Sequence, residues 1–295
     1  MKIGFVGMGV MGLPMALNVL RKSNCQVLGF DVSDKQMSTF QNAGGNTASD
    51  VMDIYKNCDV IMQILPTHST IIHSIEQALT YGKPGNIVID LSSTAPHIIQ
   101  SLNEKADKCG ISLLDSPVSG GNPAAKAGAL AIMTGGDRST FDKVFPILSC
   151  MGNPVYTGKS GSGSITKLVN NMIAGAYMVA IAEGYAFAAK AGIDLKTTFE
   201  ATRGGFAGGP VYDNKVPKII NRDYEPGARI AVHRKDILNA KHYAHFLDVD
   251  TPVTDVVLQV MDWMNDNGHI DEDQAAMIRY YEDKMGVSVG MENCF

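Results

Sequence analysis

The chain is poor in features that mark several large functional classes. It has one tryptophan, 7% aromatic residues and only 19% charged residues among 295. Its net charge of −5 argues against electrostatic binding to nucleic acid or to an anionic membrane, while small anions remain open as ligands. The five cysteines, at 25, 58, 109, 150 and 294, contain no CxxC pair and no zinc-ligand spacing, so no metal is expected and the thiols read as reduced, in a cytoplasmic protein. Long hydrophobic runs are also missing. Ile3 to Leu20 is interrupted by Gly4, Gly7, Gly9, Gly12, Pro14 and Asn18 and has no small-x-small cleavage site, which favours a folded strand and turn over a signal peptide. Met172 to Ala182 is only 11 residues long, against the ~20 that span a bilayer, and no membrane segment is expected.

What is abundant is glycine, at 30 of 295 residues, about a tenth against a usual ~7%. Fourteen of these fall in five places (7 to 12, 120–121, 135–136, 158 to 163 and 204 to 209), and only four follow residue 210. The length suits two compact units. In the first half, short β-branched runs alternate with helical patterns, which predicts a mostly parallel sheet covered by helices. Strands are expected at Lys2 to Val6, Gln26 to Phe30, Val60 to Leu65, Ile87 to Asp90, Ser112 to Asp115 and Leu130 to Thr134, with a short one near Val155. Ser164 to Lys190 has no proline and only three charged residues, Lys167, Glu183 and Lys190. It reads as one helix about 40 Å long, apolar all round and therefore expected to be covered on every side, at a domain junction or a subunit interface. Beyond it the pattern is helical, with a frayed tail from Ser288. The expected organisation is an N-terminal dinucleotide-binding domain at 1–162, a connecting helix at 163–192 and an all-α domain at 193–295.

The most specific local signal is Gly7-Met8-Gly9-Val10-Met11-Gly12, a GxGxxG motif. It follows a predicted strand, opens a predicted helix, and Asp31 stands 19 residues after Gly12 at the end of the next strand. This context identifies a Rossmann-type unit, in which glycines let the backbone approach a pyrophosphate at a helix N-terminus. Asp31 would bond a ribose 2′-OH and repel a 2′-phosphate, which favours NAD(H) and leaves NADP(H) possible. The competing reading is that Asp31 caps the following helix.

Three more motifs can be read chemically. Lys167 and Asn171 lie four apart on a helix, so they share a face; alone, they also fit a helix-end lysine reaching solvent. Ser119-Gly120-Gly121 follows a strand end, where a hydroxyl and backbone N–H groups can hold an anion or simply make a turn. Lys235-Asp236-Ile237 is otherwise a solvated charge run.

Together, Asp115-Ser116-Pro117-Val118-Ser119-Gly120-Gly121, Gly161-Ser162-Gly163 with Lys167 and Asn171, and Lys235-Asp236-Ile237 resemble the β-hydroxyacid dehydrogenase family along nearly the whole chain. The departures are mild: Ser116 for alanine, Thr134 for valine and Ile237 for leucine. The resemblance implies hydride transfer between NAD(P) and a short 3-hydroxy carboxylate or its semialdehyde, with no metal and a homodimeric or homotetrameric state. It makes Lys167 the general acid/base, Ser119, Gly120, Gly121 and Asn171 substrate-binding residues, and Lys235 a neighbour of the nicotinamide. Ser93 and Thr94 would contact ribose or nicotinamide, and Leu65 and Pro66 would pack against the cofactor. Thr202 to Gly209 and Asp223 to Gly227 are most similar to members that reduce tartronate semialdehyde, whereas Lys284 to Val289 is similar to members that act on 2-(hydroxymethyl)glutarate. Arg203 could meet a second polar end of the substrate or cap a helix. Imine reductases of this architecture usually lack the lysine seen here, and a non-catalytic relative would have lost it and gained a basic extension.

Overall fold

Two compact units make up the chain, Met1–Lys167 and Leu168–Phe295, and the computed structural model describes residues 1–290. The first unit contains, in chain order, β1 (Lys2–Val6), α1 (Gly12–Lys22), β2 (Gln26–Phe30), α2 (Asp34–Asn42), β3 (Asn46–Thr47), α3 (Val51–Asn57), β4 (Val60–Gln63), α4 (His68–Tyr81), β5 (Ile87–Asp90) and α5 (Pro96–Lys108). It continues with β6 (Ser112–Asp115), β7 (Val118–Ser119), α6 (Gly121–Ala127), β8 (Leu130–Gly135), α7 (Arg138–Leu148), β9 (Gly152–Gly158) and the start of α8 (Ser162–Lys190). The strands form one sheet in the order β3-β2-β1-β4-β5-β6-β8-β7, with β9 also on β8. Pairing is parallel from β3 through β6, antiparallel where β8 meets β6 and β7, and parallel again between β8 and β9.

Period-two alternation explains why the central strands are apolar at nearly every position. Ile3, Phe5, Val60, Met62, Ile87 and Ile89 face a core shared with Met15, Ala16 and Val19 of α1. Val6, Ile61, Val88 and Leu113, of opposite parity, face a second core with Ile54, Ile71, Ile75 and Leu102. Both faces are therefore buried, as a parallel sheet requires. Helix starts follow local chemistry: Asp50 and Asp137 cap α3 and α7, Thr67 makes a capping box on α4, and Pro96 opens α5. Sequence reading missed the two-residue strands β3 and β7, which are too short to show periodicity.

The second unit holds the rest of α8, then α9 (Leu195–Thr202), α10 (Pro210–Ile220), α11 (Ile230–Phe246), α12 (Pro252–Asp266), a 3₁₀ turn at Gln274–Met277 and α13 (Ile278–Met285). The α/β reading with a helical C-terminal part is thus borne out. The core of this unit combines Met178, Ala182 and Tyr185 of α8 with Val216, Ile219, Ile237, Val257, Met261, Met277 and Ile278. Among the described residues, α8 is the one helix long and apolar enough to cross a membrane, and here its inner side lies in that core. In the single chain, Val169, Ile173 and Phe187 of this helix are exposed.

The tail expectation is corrected in part. Val289 is fully buried, its N–H donates to Glu282 Oε1 at 2.6 Å, and Arg222 donates to its carbonyl oxygen. An ordered backbone with a buried side chain is anchored, not frayed; residues 291–295 lie outside the described residues. The four cysteines among the described residues are free.

Lys215 Nζ meets Asp273 Oδ1 at 2.7 Å, with the carboxylate completely buried. Asp273 also accepts from the N–H groups of Gly227, Ala228 and Ala275. Burial pushes its carboxyl up, but Lys215 and these N–H groups outweigh that and hold it below its ordinary value. Removing the lysine leaves an uncompensated buried charge. Lys215→Ala should therefore cost about 3–5 kcal/mol in urea unfolding followed by circular dichroism, and an unchanged midpoint would refute the assigned role.

Candidate active site

The carboxyl ends of adjacent strands are where ligands bind in an open α/β sheet, and here they bring the sequence motifs together. Gly7 to Gly12 follows β1, Asp31 follows β2, Leu65 and Pro66 follow β4, Ser93 and Thr94 follow β5, and the Ser119 segment follows β6. Gly7 has φ +88°, and a Cβ there would lie 2.3 Å from the Ile64 carbonyl oxygen. A Cβ on Gly12 would lie 1.9 Å from the Gly7 carbonyl oxygen. These two glycines fold the loop tightly, while Gly9 is exposed with open space around its Cα. Helix α1 starts directly behind, with no acidic side chain in its first turn. This cradle fits a dinucleotide pyrophosphate.

Asp31 accepts from Met8 N–H at 2.5 Å through Oδ2 and from Ser33 N–H at 2.8 Å through Oδ1. Its bonds thus fix it beside the glycine loop and do not go to the first turn of α2. Leu65 is half-buried and Pro66 exposed. In the next loop, buried Asp90 accepts from Gln63 Nε2, Ser92 N–H and Thr94 Oγ1 at 3.3, 3.2 and 2.6 Å. Ser92 Oγ accepts from Leu65 N–H at 2.9 Å. Thr94 is therefore buried with its hydroxyl committed to Asp90, while Ser93 is half-buried at the turn.

Ser119 is half-buried, and Gly120 (φ +130°) and Gly121 are exposed at the start of α6. Asn122 Nδ2 donates to the Val10 carbonyl at 2.6 Å, tying this segment to the glycine loop. Sequence reading missed Asn122, for which no local pattern distinguishes a cross-loop bond from surface polarity.

Asp115 closes β6 and is 1% exposed. Its Oδ1 accepts from Gly161 N–H at 2.9 Å and its Oδ2 from Ser164 N–H at 2.7 Å. The start of α8 is thereby fastened to the end of β6, and Lys167 follows Ser164 by three residues. Burial pushes the Asp115 carboxyl up to about 6, with the Ser164 and Gly161 N–H groups opposing that rise.

In the second unit, Asn171 Nδ2 donates to Asp236 Oδ2 at 2.7 Å, and Asn170 Nδ2 donates to Asn171 Oδ1 at 2.9 Å. His233 Nε2 lies 2.9 Å from the Asn171 carbonyl oxygen, and Lys235 Nζ lies 3.3 Å from Asp236 Oδ1. Lys235 is thus part of a built cluster and not of a solvated charge run. Sequence reading had given no role to His233 or to Asp236. Arg203 packs over the Phe199 ring at 4.8 Å and pairs with Glu200 and Asp213 at 3.2 and 3.5 Å. No group of three His, Cys, Asp or Glu among the described residues could hold a metal ion.

Known proteins are similar to this chain along most of its length. The family model for the NAD binding domain of 6-phosphogluconate dehydrogenase matches residues 2–161. The model for NAD-binding of NADP-dependent 3-hydroxyisobutyrate dehydrogenase matches residues 161–281. The chain is 32% identical to 2-(hydroxymethyl)glutarate dehydrogenase of Eubacterium barkeri over 98% of this chain and 97% of the relative. It is 30% identical to 2-hydroxy-3-oxopropionate reductase of Escherichia coli (strain K12), over 96% and 97%. The solved Mycobacterium tuberculosis 3-hydroxyisobutyrate dehydrogenase with L-serine superposes with a TM-score of 0.85 at 27% identity, covering 95% and 98% of the two chains. The chain belongs to the β-hydroxyacid dehydrogenase family, whose members are NAD(P)-dependent oxidoreductases.

The raised Asp115 carboxyl has a definite sign in stability. Between its ordinary value and about 6, the unfolded chain gives up this proton while the folded chain keeps it, so the stabilisation present in acid is lost as pH rises through that window. The melting temperature of the wild type minus that of Asp115→Asn should therefore decline from about pH 4 to about pH 6 and level off above. A difference that rises over the same window would contradict the assignment.

Proposed function

We propose that this chain interconverts a short 3-hydroxy carboxylate and its semialdehyde, with tartronate semialdehyde reduced to D-glycerate as the leading reaction. One observation carries the reading: Asp115 stands four residues before Ser119 and bonds Ser164, three residues before Lys167, so both proposed reactive segments are anchored to one strand end. A dinucleotide held by its pyrophosphate at the glycine cradle would supply the hydride through its nicotinamide. Gly7, Met8, Gly9, Val10, Met11 and Gly12 would hold the pyrophosphate, and Asp31 the adenosine ribose. Leu65, Pro66, Ser93 and Thr94 would complete the cofactor contacts, Thr94 through its loop because its hydroxyl is engaged.

The Ser119 hydroxyl and the N–H groups of Gly120 and Gly121 would hold the substrate carboxylate. Lys167 Nζ would hydrogen-bond the aldehyde oxygen and give it a proton as it becomes a hydroxyl, and would take that proton back in the reverse direction. Asn171, one turn further along α8, would orient the same substrate, and Lys235 would lie near the nicotinamide. Asp31, with its oxygens turned to backbone N–H groups and no arginine beside it in Phe30 to Asp34, favours NAD(H) over NADP(H).

A second reading, 2-(hydroxymethyl)glutarate as substrate, is favoured by the Lys284 to Val289 ending and by the Eubacterium barkeri relative; 3-hydroxyisobutyrate comes third. The exposed apolar residues Val169, Ile173 and Phe187 on α8 support self-association as a dimer or tetramer, and the net charge of −5 supports a cytoplasmic reading without a nucleic-acid or anionic-membrane partner.

Lys167→Ala should leave NADH binding intact and lower turnover by about 100-fold or more, and near-normal turnover would sink the role of the lysine. A panel of tartronate semialdehyde, 2-formylglutarate, methylmalonate semialdehyde and succinic semialdehyde with both cofactors should give the largest kcat/KM with tartronate semialdehyde and NADH. A preference for NADPH would overturn the reading of Asp31, and a preference for another semialdehyde would overturn the substrate.

A further inference from the structure

Asp115 belongs to a motif singled out in the sequence, yet neither substrate nor cofactor binding uses it. It is a carboxyl group 1% exposed, and burying an acid is costly unless its oxygens are engaged. Both are: Oδ1 receives the N–H of Gly161, the residue before α8, and Oδ2 the N–H of Ser164, one of the unpaired donors in the first turn of this 29-residue helix. The fit is close on every side. A Cβ on Gly163 would stand 2.4 Å from the carbonyl oxygens of Asp115 and Met133 and 3.0 Å from Asp115 Oδ2. One on Gly135, which is paired with Asp115 across β6 and β8, would stand 2.6 Å from Asp115 Oδ1 and 2.8 Å from Gly163 N. Gly161 enters the helix with φ +88°. The Gly161-Ser162-Gly163 segment is thus a socket for this side chain: Gly163 is accounted for by packing against Asp115, and Gly161 by its positive φ and the Gln100 side chain beside it, without any contact to substrate.

We propose that Asp115 is the positioning residue for Lys167: by gripping the first turn of α8 from the end of β6, it sets where the lysine ammonium stands relative to the Ser119 segment on the same strand end. Lys167 lies three residues, about 4.5 Å of helix rise, beyond the gripped Ser164. Any tilt or shift of that turn moves the ammonium directly. The carboxylate also places negative charge at the positive end of α8, which favours the helix starting at this point. Asp115 touches no reacting atom in this scheme and acts only through the lysine.

The proposal rests on Lys167 as acid/base, and a double-mutant cycle separates the two ideas. In Asp115→Asn one oxygen becomes an NH₂ group facing a backbone N–H, so the grip is broken at nearly constant volume. The full-length enzyme, assayed with the best substrate of the panel above, should lose about 100-fold in kcat, the scale set by a misplacement of ~1 Å. NADH affinity, read by fluorescence titration, should be unchanged, and the residual rate of Lys167→Ala should not fall further when Asp115→Asn is added. Gly163→Ala reaches the same contact from the helix side with Asp115 intact and should reproduce the pattern, which keeps the test available if one variant does not fold. A folded Asp115→Asn enzyme with normal kcat would overturn the proposal, as would an equal loss with and without Lys167. If Lys167→Ala itself turns over normally, the acid/base reading fails with it, and that outcome is recognised without reference to Asp115.

Discussion

The grip of one buried carboxylate on the opening turn of α8 is the constraint on which the rest of the proposed site depends. A helix of 29 residues whose early residues are almost free of charge has little in its own sequence to determine where it begins. Its start is set by the two backbone N–H groups that Asp115 receives, and the cradle around that carboxylate admits only glycine at 135 and 163 because any side chain would collide with oxygen atoms already in place. The position of Lys167 is therefore inherited from a strand end in the sheet.

Asp90 repeats the device one strand away. It is paired in register with Asp115 across β5 and β6, and both acids are buried at the carboxyl edge of the sheet. Each satisfies its oxygens with hydrogen-bond donors: Asp90 with Thr94, Ser92 and Gln63, Asp115 with Gly161 and Ser164. Two loops that approach the cofactor face are thereby held by side chains lying beneath them. Asn122 adds a third tie, from the Ser119 segment to the glycine loop. Such fixed loops suit a hydride transfer, where donor and acceptor must be aligned to within fractions of an ångström.

The helical unit uses the same chemistry for stability. Asp273 collects Lys215 and three backbone N–H groups where α10, the segment before α11 and the 3₁₀ turn meet. In the same unit, Asp236 holds both the Asn171 amide and Lys235. Buried acids recur in this protein as junctions between elements, each satisfied by several donors, because a carboxylate can accept from several directions at once where a backbone carbonyl is already engaged.

The sequence by itself determined the class of fold. Alternating β-branched runs located six of the nine strands to within a residue or two, since a strand buried on both faces leaves an apolar run that needs no partner to be recognised. It also pointed to Gly7, Gly9, Gly12 and Asp31 as a cofactor loop, because they lie within one βαβ unit, and to Lys167 and Asn171 as a pair, because four residues make about one helical turn. What it could not show were the partners of those residues: Asp115 with Gly161 and Ser164, Asn122 with Val10, Asp236 with Asn171, and Val289 with Arg222 and Glu282. Apart from Val289 with Glu282, seven residues apart, these contacts join positions tens of residues apart, mostly between different elements. Which polar groups meet there, and which side of α8 is left uncovered, depends on how the sheet and helices pack, so only the tertiary structure decided it.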